Sequence, residues 1–150
     1  MIRLKQTLKK YVIPLIKSCL VFIILFYPIG FVHELGHLLV GYSFDSSCVL
    51  NYSLMKVTCS PTPQPEWLYF SLGGIFGLVA GSSLFMIKKF RITKWIFIGI
   101  IITVFDQLAK VLFETLAHQA YLNDIIIWYI GGLDFAVLIT LVLYYQKRLG

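Results

Sequence analysis

Residues 18–42 read SCLVFIILFYPIGFVHELGHLLVGY, a run of 25 residues that carries three ionisable side chains within five positions near its end. As an α-helix rising 1.5 Å per residue, the run would extend about 37 Å, which is enough to cross a bilayer core of about 30 Å. Pro28 and Gly30 should kink or loosen this helix just before its polar part. The sequence therefore predicts a membrane span with a polar segment inside it.

The composition of the whole chain supports this interpretation. Of the 150 residues, 59% are apolar and 13% are charged, against about 45–50% and about 25% in soluble domains. A water-soluble globular fold is therefore not expected. The net charge is +6, but the basic residues lie between apolar runs and form no polar face, so nucleic acid is not an expected partner. We expect one membrane-embedded domain over residues 1–150.

Three further apolar runs follow the first, at Trp67–Ile87, Trp95–Ala117 and Ile125–Tyr145. The second contains glycines at positions 73, 77 and 81, a spacing that favours close helix contact within a bundle. Residues 2–16 alternate apolar and basic side chains in a pattern typical of a helix lying on a membrane surface. The prediction is an all-α integral membrane protein with about four transmembrane helices and an amphipathic N-terminal helix.

The connection between the first two spans predicts a short β-hairpin, with strands near Cys48–Tyr52 and Leu54–Cys59. The prolines that follow it should prevent regular structure before the second span. If Ser53 and Leu54 form the turn, Cys48 and Cys59 become cross-strand neighbours. They could then form a disulfide if this side of the membrane is oxidising.

Positive charge predicts the orientation of the chain. With four spans, both termini and the 88–94 loop lie on one side, which then carries 11 of the 13 Lys and Arg residues. By the positive-inside rule this side is cytoplasmic, and we expect the plasma membrane. The hairpin and the 118–124 turn would face outward.

The motif His33-Glu34-Leu35-Gly36-His37 carries the chemistry. Residues four apart share one face of a helix, so both imidazoles could bind one Zn²⁺ ion at about 2.0–2.1 Å. Glu34 could flank the ion without binding it and take a proton from water as the general base. Ionisable side chains within a membrane span are costly unless they pair, bind metal or face water. A metal site is therefore the favoured interpretation.

On this motif the chain resembles the site-2 protease family of membrane-embedded zinc metalloproteases. The resemblance rests on HELGH at 33–37 within a span, a following hairpin and a glycine-rich second span. It implies that two histidines and a distant Asp bind zinc, that the Glu is catalytic, and that the substrate is a membrane protein or membrane-associated peptide. The family's N-P-x-x-x-L-D-G signature is absent, and Ser71-Leu72-Gly73-Gly74 stands where an Ala-Gly-Pro element is often found.

The third ligand has to be argued from topology. Asp124 is favoured, because it lies at the outward turn before the last span and resembles an Asn-Asp element of compact relatives. It could instead cap the last helix. Asp134, at a depth close to that of His33, and Asp106, within the third span, are the alternatives.

A stripe of polar residues spaced four apart runs along the third span and comprises Asp106, Lys110, Glu114 and His118. It could be a ladder of ion pairs or could line a water path to the metal. For Lys110 and Glu114 the ladder is favoured, and His118 is expected to be a polar residue near the membrane interface.

Two questions stay open at the level of sequence. The hairpin could hold a substrate by β-addition, or it could cap the bundle. The charge pattern directs the site outward, whereas the family often places it nearer the cytoplasm. The leading hypothesis is an intramembrane zinc endopeptidase. The alternatives are a noncatalytic membrane scaffold or partner-binding protein stapled by zinc, and a metal transporter.

Overall fold

The computed structural model describes residues 8–52, 56–117 and 125–149. After a π-helical turn at Leu8–Val12, the elements are α1 (Ile13–Ser43), β1 (Ser47–Asn51), β2 (Lys56–Ser60), α2 (Glu66–Ser83, continued by a 3-10 turn at Leu84–Met86), α3 (Lys88–Ile92), α4 (Lys94–Leu116) and α5 (Ile125–Leu149). Four of the helices, α1, α2, α4 and α5, are long and apolar enough to cross a membrane. The predicted all-α fold with four spans and one hairpin is confirmed.

The first helix differs from its prediction. The sequence predicts a surface helix followed by a separate span, but the chain is continuously helical from Leu8 to Ser43. Pro14 lies at the start of α1 and does not separate the two parts, because its fixed φ of about −65° is compatible with a helix. Pro28 lies inside α1 and does not end it. Residues 1–7, which belong to the predicted surface helix, lie outside the described residues.

The glycines of α2 allow three helices to approach closely. At Gly73 a Cβ atom would meet the His37 ring of α1, and at Gly77 it would meet the Gln107 side chain of α4. In return, a Cβ at Gly36 of α1 would lie 2.6 Å from the carbonyl oxygen of Leu72. The predicted packing role of the α2 glycines is confirmed, and α2 lies against both α1 and α4.

The fourth span, α5, packs mainly against α4. Ile98 and Ile102 of α4 form an apolar core with Leu138 and Val142 of α5. This core lies toward the end of the bundle that carries α3, since Ile98 and Ile102 lie in the N-terminal half of α4 and Val142 lies in the C-terminal half of α5. The buried polar residues of α4 lie further toward the C-terminal end of that helix.

The hairpin is confirmed with small shifts of its strand ends. β1 and β2 are antiparallel with Cys48 opposite Cys59, and the two cysteines form a disulfide. The predicted turn residues Ser53 and Leu54 lie outside the described residues. A Cβ at Gly41 would overlap the Cys48 sulfur, so the disulfide packs directly on the last turns of α1. The predicted loop at 88–94 contains the short helix α3.

Candidate metal centre

The two histidines of the motif lie one turn apart on the buried face of α1. His33 and His37 are 4% and 7% exposed, and their Nε2 atoms are 3.2 Å apart. Close packing against α2 fixes this face, because Gly36 and Gly73 leave no space between the two helices. The spacing of four residues therefore converges both imidazoles on one point, as the sequence predicts.

Glu114 of α4 completes the group. Its Oε2 atom lies 3.3 Å from His33 Nε2 and 3.6 Å from His37 Nε2, and the residue is 3% exposed. One ligand atom from each of the three residues lies within 4.8 Å of the other two. His33, His37 and Glu114 could therefore hold a metal ion.

The outer nitrogen of each imidazole is held by an acceptor. His33 Nδ1 lies 3.0 Å from Gln107 Oε1, and His37 Nδ1 lies 2.8 Å from the Tyr69 carbonyl oxygen. Because both partners are acceptors, both Nδ1 atoms carry the hydrogen and donate. The Nε2 atoms of the two imidazoles then face each other and the Glu114 carboxylate.

This arrangement fits a bound cation. The Glu114 Oε2 atom is buried and has no hydrogen-bond partner within the described part of the chain. A proton could link only two of the three atoms, whereas one divalent cation satisfies all of them. Ligands bound tetrahedrally at 2.0–2.1 Å lie about 3.3–3.4 Å apart, close to the separations of 3.2, 3.3 and 3.6 Å here.

Glu34 flanks this group and is not one of its three members. Its carboxylate interacts electrostatically with both histidines and with Glu114. Its Oε2 atom also accepts a hydrogen bond of 2.7 Å from the backbone N–H of Val57 in β2. The hairpin is thus attached to α1 at the side chain next to the metal ligands, as well as at Gly41.

The three aspartates considered as ligands have different positions. Asp124 lies outside the described residues. Asp106 accepts hydrogen bonds of 2.8 Å from both Lys110 Nζ and Gln107 Nε2. Asp134 is buried near Asp106, with its Oδ1 unpartnered within the described ranges. Neither of these two belongs to the group that could hold a metal.

The predicted ion-pair ladder is confirmed only for its first step, between Asp106 and Lys110. The favoured role of Glu114 in this ladder is wrong, because its carboxylate faces the two histidines of α1. The direction of the Glu114 side chain depends on how α4 is rotated about its axis against α2. This rotation cannot be read from residue spacing along one helix. His118 lies outside the described residues.

Sequence reasoning also missed Gln107. A usable signal existed, since Gln107 and Glu114 are seven residues apart in an apolar span and so share one helical face. Both are buried; Gln107 contacts His33, and Glu114 contacts both histidines.

Comparison of the chain with protein-family models, with curated proteins and with solved structures finds no match.

Proposed function

We propose that the protein is an intramembrane zinc endopeptidase in which His33, His37 and Glu114 bind Zn²⁺ and Glu34 is the general base. One observation carries the proposal. Three buried ligand atoms converge, and beside them lies the carboxylate of Glu34, which is held separately by a hydrogen bond from Val57. Two imidazoles and one carboxylate form a ligand set of catalytic zinc sites, which leave the fourth position for water or substrate.

The chemistry assigns a separate task to each group. When bound, zinc polarises the carbonyl of the scissile peptide bond and makes water more acidic. Glu34 accepts the proton of the attacking water and can pass it to the leaving amine. His33 and His37 keep their outer N–H groups bonded to Gln107 and Tyr69, which directs their Nε2 atoms inward.

The proposed substrate is a membrane protein or membrane-associated peptide that is held in extended form. Because the Val57 N–H donates to Glu34, it points away from β1, and its carbonyl points the same way. The outer edge of β2 therefore faces the metal centre. A segment that pairs with this edge would place its peptide bonds beside the three ligands.

The site lies at the end of the bundle that carries the hairpin. His37 is near the last turns of α1, Tyr69 is in the first turns of α2, and Glu114 is near the end of α4. Together with the positive-inside rule, this geometry supports a site that opens outward from a plasma membrane with cytoplasmic termini.

Metal analysis and cleavage assays on the purified full-length protein in detergent or vesicles test the proposal. We expect about one zinc per chain in the wild type. Glu114→Ala should lose most of the metal. Glu34→Gln should keep the metal and lower cleavage of membrane peptides by at least about 10²-fold.

Asp124→Ala is the comparison that decides the third ligand. If this variant loses zinc while Glu114→Ala keeps it, the ligand assignment is wrong. If the zinc-loaded protein cleaves no member of a broad panel of membrane peptides and Glu34→Gln changes nothing, the noncatalytic zinc-stapled scaffold replaces the endopeptidase.

A further inference from the structure

Gln107 is the most deeply buried polar contact of the metal centre, with 1% of its surface exposed. Its Oε1 atom lies 3.0 Å from His33 Nδ1. We propose that Gln107 is a positioning residue that fixes the tautomer and the ring orientation of His33 for metal binding. The proposal rests on the metal site proposed above and concerns a residue that binds neither metal nor substrate itself.

The carboxamide of Gln107 can adopt only one orientation. Its Nε2 donates a 2.8 Å hydrogen bond to Asp106 Oδ2, which leaves Oε1 for His33. A flipped amide would place an oxygen against the Asp106 carboxylate, which is repulsive. Asp106 therefore determines which atom of Gln107 meets the histidine.

Asp106 is itself held by a cation. Lys110 Nζ donates to the same Oδ2 atom at 2.8 Å, and it lies 4.8 Å from the ring centroid of Phe26 in α1. The aromatic face attracts the ammonium group. A continuous polar chain therefore runs from Lys110 through Asp106 and Gln107 to His33, and both of its ends contact α1.

The neighbouring helix α2 leaves space for the Gln107 side chain. A Cβ atom at Gly77 of α2 would overlap the Gln107 carboxamide. Gln107 thus fills the volume between α2 and α4 while its oxygen reaches α1. Few other rotamers are open to a side chain so enclosed, and the hydrogen bond to His33 is correspondingly well defined.

The consequence for metal binding follows from the tautomer. With Nδ1 protonated, the Nε2 lone pair of His33 points at His37 and Glu114. Without the acceptor on Gln107, the hydrogen could occupy Nε2 and block the ligand position. Loss of such an outer hydrogen bond lowers metal affinity by about 10–100-fold in known sites.

The test compares three variants by chelator competition for zinc and by the visible absorption of the Co²⁺-substituted protein. Gln107→Met keeps the length without an acceptor, and we expect weaker zinc binding by about 10–100-fold and an altered Co²⁺ spectrum. The double variant Asp106→Asn/Gln107→Glu exchanges the carboxylate and the amide, keeps an acceptor oxygen toward His33 without two facing carboxylates, and should restore both values toward the wild type. Thr103→Val is the matched control, because Thr103 is 1% exposed and, within the described part of the chain, its hydroxyl bonds to Gly99 of the same helix.

The outcomes separate this inference from the proposed function. A wild type without zinc overturns the metal site itself. A zinc-binding wild type whose affinity and Co²⁺ spectrum are unchanged in Gln107→Met overturns the role of Gln107 alone. Should Gln107→Met fail to fold, Asp106→Leu removes the acceptor that orients the amide and should shift both values in the same direction; unchanged values would again reject the role.

Discussion

The imidazole of His37 is enclosed on three sides. Its Nδ1 donates to the Tyr69 carbonyl, the Tyr69 ring lies 4.9 Å away between centroids, and Gly73 lies directly against the ring. A ring held in this way presents Nε2 in one direction. Gly73 thus belongs to the candidate metal centre, because the His37 ring occupies the space that a side chain at position 73 would need.

Gly73→Ala is expected to displace His37 and to lower zinc occupancy. The added methyl group would overlap the imidazole, and such overpacking typically costs about 1–3 kcal/mol. Metal content and thermal unfolding measure the two effects. Gly132→Ala is the control, since nothing lies within 4 Å of a Cβ at that position. Equal zinc content in the two variants would show that His37 tolerates the methyl group.

The parts of the site that sequence could predict are the local ones. His33, Glu34 and His37 share one turn of one helix, so their spacing alone determines that the imidazoles converge. Glu114 belongs to a helix that begins after four intervening elements, and its direction depends on the rotation of α4 against α1. The glycine spacing predicts that α2 packs closely, but it does not say which face of α4 meets the histidines.

The disulfide joins the two strands of the hairpin, and β2 contacts Glu34 through the Val57 N–H. Replacing Cys48 and Cys59 together by Ser releases a loop closed over a sequence separation of 11, which should reduce stability by about 2–3 kcal/mol. We expect faster hydrogen exchange at the Val57 amide and slower peptide cleavage, with zinc retained because no ligand lies in the hairpin.

Cys19→Ser is the matched control for this change, because Cys19 is the one free cysteine and lies in α1. It should leave exchange, cleavage and zinc content unaltered. If the double variant behaves like this control, the hairpin is held by its packing and not by the disulfide.

The α5 helix brings a second buried carboxylate close to Asp106. Asp134→Asn replaces a buried carboxyl group beside Asp106 by a neutral amide of nearly the same shape, so we expect no loss of thermal stability. Zinc content should also remain at the wild-type value, because Asp134 is not one of the three converging ligands. A loss of zinc in this variant, measured by metal analysis, would return Asp134 to the ligand set.

Cysteine labelling tests the orientation of the whole bundle. In a Cys19→Ser background, Tyr52→Cys and Ile92→Cys place thiols at positions that are 71% and 69% exposed, at opposite ends of the molecule. An impermeant reagent should label position 52 in intact cells and position 92 only after lysis. The reverse pattern would place the metal centre on the cytoplasmic side.

The spans and the hairpin could be predicted because each is encoded by a contiguous pattern. Long apolar runs determine the four helices, and alternating residues with two cysteines determine the strand register. The continuity of Leu8–Ser43 was not predicted, since a change from basic to apolar side chains does not by itself interrupt backbone hydrogen bonds. The position of Glu114 beside the two histidines was not predicted either, because it depends on contact between distant segments.

The hydrogen bond between Glu34 and the Val57 amide has a consequence for how a substrate strand would bind at the site. One amide hydrogen serves one strong acceptor, so a strand that aligns along the outer edge of β2 must take this hydrogen from Glu34. Pairing of a substrate strand and release of the Glu34 carboxylate would then occur together. Until a strand pairs, the carboxylate occupies the Val57 N–H at this edge.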